Sequence, residues 1–225
     1  NRSMARVERI RGLEFERTVP VEVIARSTYR ERVDRRSDRT SPNASTLRNV
    51  AYEAAFLLGE NRSGVERAAD TRASTALGYY APAEDRIVIV SENATAPKLD
   101  EVTLSQELFH ALQSREFDAA RVAAPTRELH NARDGIVEGD GNYVDHLYER
   151  RCEVEWNCLT HDRSGGGGGG DVHVGIAALR LQPYSDGPPF VRDLRREGGW
   201  DAVDAVYADP PASTEQTIHP AAYGE

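Results

Sequence analysis

Apolar residues recur at helical spacing in several stretches of the chain and at alternate positions in two short ones. Between Lys98 and Phe117, Leu104, Leu108, Ala111 and Leu112 fall on one side of a helix, with Asp100 or Thr103 placed to cap its start. Residues 129–152 predict a second long helix, although three glycines inside GIVEGDGNYVDHLYERRC make it costly in isolation. LRNVAYEAAFLLG reads as an amphipathic helix closed by Gly59. Residues 19–24 alternate as a strand. ALGYYAPAEDRIVIVSE predicts a β-hairpin, in which Tyr79 and Tyr80 lead through a turn at residues 81–85 to the strand Ile87–Val90.

The remaining segments are shorter or more polar. Residues 7–18 (VERIRGLEFERT) read as a short helix entering a turn, STYRERVDRRSDR as a solvated helix, and TSPNAST as a loop. VGIAALRLQPYSDGPPFVRDL predicts helix, turn and helix, and Gly198-Gly199-Trp200 opens a short helix to Tyr207. The glycine run at 165–170 reads as a flexible loop or linker, since glycine retains large conformational entropy and packs nothing. No internal repeat is visible, and the length suits a single domain over residues 1–225.

Composition narrows the class. The net charge of -9 argues against general nucleic-acid binding, which needs clustered basic residues. No run of 18 apolar residues exists, so no membrane span is expected. The opening residues lack the apolar stretch of a secretory signal and read as an internal start, which leaves a trimmed signal or anchor open. Among 28 basic residues only Lys98 is a lysine, and an acidic surface so poor in lysine fits a salt-adapted protein or a GC-rich genome. Asn1, Asn43, Asn61 and Asn93 each begin N-x-S/T, where about one match is expected by chance; Asn43, Asn61 and Asn93 are the glycosylation candidates. These features point to an extracellular or cell-surface protein. Cys152 and Cys158 would lie about 9 Å apart on an unbroken helix, so a disulfide between them requires the helix to end there. Two buried thiols are the other reading.

The chemistry centres on Gln106-Glu107-Leu108-Phe109-His110, one residue short of the zinc-protease signature H-E-x-x-H. In that signature two imidazoles one turn apart hold zinc and the glutamate is general base to the bound water. Here Gln106 stands in the first-ligand place, Glu107 in the base's and His110 in the second ligand's. E-x-x-H alone is common by chance, but a following helix offers Glu138 as a further ligand, with Asn142 and Asp145 one and two turns on as outer partners for a ligand imidazole. Glu138 and Asp145 could equally be solvated carboxylates. Glu215 and His219, four apart, could face one another across a turn and complete a cleft or simply close the fold. No phosphate-binding loop, nucleophile elbow or cysteine–histidine pair is present.

LSQELFHALQ, preceded by GYYAPAEDRIVIVSE, resembles a group of gluzincin-like metallopeptidases that usually read AHELTHALQDQ at this place. The likeness extends to RGLEFERTVPVEVIAR, IVEGDGNYV, QPYSDGPPFV and the closing GGWDAVDAVYADPPASTEQTIHPAAY, and it is nearest to haloarchaeal surface proteins of that group. The resemblance implies an α+β, zincin-like fold, mostly helical, with a small sheet or hairpin beside the active-site helix. It implies Glu107 as base, His110 and Glu138 as zinc ligands, and Gln106 as a degenerate ligand position. A carboxamide is a poor substitute for imidazole on zinc, so zinc is expected to be weakly held or absent. The expected function is a catalytically impaired domain that binds a peptide or protein at the cell surface. The alternative is an active metal-dependent peptidase with a substitute ligand such as His219 or His146.

Overall fold

In the computed structural model, the described residues are 2–38, 42–55, 72–74, 76–92, 100–118, 124, 126–160 and 174–224. Over these the chain is mostly helical, with one three-stranded sheet, an α+β arrangement. Helix α1 (Arg2–Arg11) precedes β1 (Val21–Ala25), α2 (Arg26–Asp38) and α3 (Pro42–Ala54). The hairpin of β2 (Gly78–Ala81) and β3 (Arg86–Ser91) leads to α4 (Glu101–Glu116), α5 (Arg127–Val154), α6 (Val174–Ala208) and α7 (Thr214–Ile218).

Strand β3 is central. It pairs in parallel with β1, Val21 opposite Ile87, and antiparallel with β2, Tyr79 opposite Val88. Its unbroken Ile-Val-Ile-Val run suits a strand covered on both faces, because successive side chains point to opposite sides. Ile87 and Ile89 join the core of α1, α4 and α5, with Val7, Leu108, Phe109, Leu112 and Val144. Val88 and Val90 pack on the other face with Ile24, Tyr29 and Val33.

Two devices fix the ends of α4. The Asp100 carboxylate accepts hydrogen bonds from the backbone N–H of Val102 and Thr103, at 2.9 and 3.2 Å, satisfying orphan donors of the first turn. At the other end Arg115 donates to both oxygens of Asp85, at 2.9 and 3.0 Å, tying the helix to the hairpin turn. Cys152 and Cys158 form a disulfide with Cα atoms 5.5 Å apart, and α5 ends between them at Val154. The loop beyond returns to α4, where Leu159 O accepts from Glu101 N at 2.9 Å.

Several boundaries differ from the sequence reading. Helix α1 lies at Arg2–Arg11 and stops where Gly12 takes φ +79°, a left-handed conformation that ends a helix readily. Pro42–Thr46, expected as loop, is helical, with the proline in the first turn where its missing N–H removes no helical bond. Residues 174–194 do not break at QPYSDGPP. The α-helical run continues through Pro183, Pro188 and Pro189 and is interrupted only at Gly198 (φ -137°) and Gly199 (φ +70°). Packing against α5 overrides proline's local preference, with Phe190, Val191, Val203 and Val206 buried against Ile136. Gly59, Asn61, Asn93 and the glycine run at 165–170 lie outside the described residues, as do Asn1 and the side chain of Asn43. No described helix is long and apolar enough to cross a membrane.

The α5 glycines are required by close approach. A Cβ on Gly139 would sit 2.5 Å from the carbonyl carbon of Gly187 in α6, and one on Gly187 would sit 2.2 Å from the carbonyl oxygen of Gly135. Gly139→Ala should therefore destabilise the protein by about 1–3 kcal/mol despite alanine's better helix propensity. Thermal unfolding should show a melting temperature lowered by several degrees. An unchanged or higher value would mean that these helices are not in backbone contact there.

Candidate functional site

Helical spacing on α4 sends Gln106, Glu107, His110 and Gln113 toward one cavity of about 270 Å³. Glu138 and Val137 of α5, Gly78, Tyr79 and Tyr80 of β2, and Tyr184 of α6 form the other walls. The space over α5 exists because position 141 is glycine. A Cβ there would come within 2.8 Å of His110 Cε1 and 3.5 Å of Gln106 Cγ.

His110 Nε2 lies 3.5 Å from Glu138 Oε2, a distance for an ion pair and too long for a good hydrogen bond. Burial pulls the imidazole down; the Glu138 carboxylate, Glu107 and the Gln113 acceptor together outweigh it and carry the ring up to about 9. Burial would raise Glu138, but the His110 charge beside it and a hydrogen bond from Tyr184 hold it below its ordinary value. Glu107 moves the other way. Its burial raises it and the Glu138 charge adds to this, against the opposing pull of His110 and of a backbone N–H from Tyr80. Among the described residues Oε2 of Glu107 and Oε2 of Glu138 are buried without a hydrogen-bond partner. Such atoms are costly in a low-dielectric site.

The outer partners of His110 are not those expected. Asn142 Nδ2 donates to Glu138 O in its own helix at 2.8 Å, and Asp145 accepts from Ser105 Oγ at 3.4 Å. The residue on His110 Nδ1 is Gln113, with Oε1 at 2.6 Å. The signal was present in HALQ, where Gln113 follows His110 by three and so shares its helix face. Glu215 and His219 do face one another, at 3.9 Å, but both are well exposed and neither lines the cavity. His146 does not line it either. His130 pairs with Asp134 at 3.3 Å.

Catalytic zinc normally takes three strong protein ligands. Here His110 and Glu138 face one another across the cavity wall, and the uncharged Gln106 is the remaining candidate. Among the described residues no group of three or more His, Cys, Asp or Glu is arranged to hold a metal ion. The described residues that line the cavity do not make up a three-ligand zinc set. What they make is a partly buried, mutually charged pair beside the buried Glu107 carboxylate, in an aromatic-walled pocket. No protein-family model, curated protein or solved structure matches the chain.

The raised His110 value has a definite sign. Protonation is favoured by folding, so the resulting stability is fully present below pH 6.5 and is lost as pH rises through about 9. Glu138→Gln removes the main favourable charge and leaves the burial. The titration of the His110 ring, followed by NMR, should then fall to 6.5 or below. A midpoint that stays near 9 would rule out Glu138 as its cause.

Proposed function

We propose that this chain is a zincin-like, gluzincin-derived domain of an exported or surface protein that has lost ordinary zinc-peptidase chemistry and binds a peptide or protein partner. The reading rests on the His110–Glu138 pair, 3.5 Å apart beside Gln106 in the first-ligand place. Without a tightly held metal, a water in the cavity keeps its high pKa, and Glu107 has no activated nucleophile to serve. Binding is supported by the cavity's position. Strand β2 is a sheet edge on the cavity wall, and an edge strand can pair with an extended chain while neighbouring pockets take its side chains. The acidic balance, the single lysine and the N-x-S/T sites support a surface location.

The second reading, an active metal-dependent hydrolase, has one observation in its favour. The unpartnered oxygens of Glu107 and Glu138 are atoms that a cation would satisfy. In that case His110 and Glu138 would hold the ion and Glu107 would act as base.

Metal analysis of protein produced with zinc separates the two. The wild-type chain should carry well under one equivalent. Gln106→His should raise this to about one, and adding His110→Ala should abolish the gain. Stoichiometric zinc in the wild type, lost on His110→Ala or Glu138→Ala, would overturn the binding-domain reading.

A further inference from the structure

We infer that Gln113 is a positioning residue that keeps a proton on Nδ1 of His110 and thereby turns Nε2 toward the cavity as the ring's variable nitrogen. The argument begins with a hydroxyl whose hydrogen is already committed. Tyr207 OH donates to Asp140 Oδ2 at 2.9 Å, and the same oxygen accepts from Arg11 Nη2 at 3.1 Å. Asp140 and the Arg11 side chain are fully buried. Having spent its one hydrogen, Tyr207 can only accept from Gln113, whose Nε2 lies 2.7 Å away.

The second amide hydrogen of Gln113 meets Val137 O at 2.9 Å, and a carbonyl accepts only. Both neighbours therefore demand the NH₂ end of the amide. A flipped amide would set its oxygen against a carbonyl oxygen and a hydroxyl with no hydrogen to give, leaving buried acceptors unmatched. Oε1 is left facing His110 Nδ1 at 2.6 Å, where it can only accept. The ring must supply the hydrogen.

The consequence reaches the cavity. With Nδ1–H held, any lone pair the imidazole presents is on Nε2, the nitrogen facing Glu138. That is the atom able to accept a hydrogen bond from a bound partner or to ligate a cation. A buried arginine of α1 thus helps orient a histidine of α4, through Asp140 of α5, Tyr207 of α6 and Gln113. The inference holds whether or not a metal is ever bound, so its failure is separable from that of the proposed function.

The test is ¹⁵N–¹H NMR of histidine-labelled full-length chain. The wild type should show a His110 Nδ1–H signal protected from exchange, persisting when the ring is neutral. Gln113→Met should lose it, and Tyr207→Phe, which frees the amide to turn, should cut its protection by about tenfold or more. Near-ultraviolet circular dichroism confirms that each variant is folded. The inference is overturned if the neutral wild-type ring carries its proton on Nε2, a result that depends on no variant. It is equally overturned if folded Gln113→Met keeps the Nδ1–H signal unchanged.

Discussion

A guanidinium with no solvent-exposed surface lies where four helices meet. Arg11 of α1 is held by Asp140 of α5 at 3.1 Å and by Asp204 of α6, and its charge sits 4.3 Å from the Trp200 ring centre and 5.5 Å from that of Phe109. Burying such a charge costs several kcal/mol of hydration, which pairing offsets only when the partners are well placed. Apolar packing alone tolerates many small slides of one helix past another. This ion pair does not, because a slide of an ångström or two would strand a charge. The α5–α6 glycine contact sets how closely those helices approach, and Arg11 sets their register to α1.

The cavity inherits that rigidity and uses it for electrostatics. Glu107 is buried and His110 and Glu138 are partly shielded beside it, where charges act on one another more strongly than in bulk water. His110 and Glu138 each stabilise the other's ionised form. Glu107 is left as the group for which burial dominates. The result depends on α4 and α5 being held at fixed separation, with Gly141 leaving room for the ring between them.

Much of this was legible in the chain and some was not. The hairpin, α4 with its Asp100 cap, α5 and the helix end at the cysteines all follow from local signals: alternation, capping and spacing. The convergence of Glu107, His110 and Glu138 followed from helical spacing and a resemblance. The run of α6 through its prolines did not, because Pro183, Pro188 and Pro189 each argue locally against helix, and the packing on α5, apolar side chains and glycine contact together, is what holds it. Asn142 and Asp145 were reasonable partners for His110 by position on their helix, yet Gln113 is nearer because it shares His110's own. Arg11 gave no signal at all. Nothing in the one-dimensional pattern separates a buried arginine from the many solvated ones around it.

Tyr80 joins strand to helix twice. Its backbone N–H reaches Glu107, and its hydroxyl donates at 2.7 Å to Asp85, which Arg115 of α4 grips from the other side. Strand β2 and helix α4 therefore move as one piece, and α5 is locked to α4 through Gln113. Three sides of the cavity are thus cross-linked by hydrogen bonds. On the α6 side Tyr184, 43% exposed, closes the wall through its hydrogen bond to Glu138.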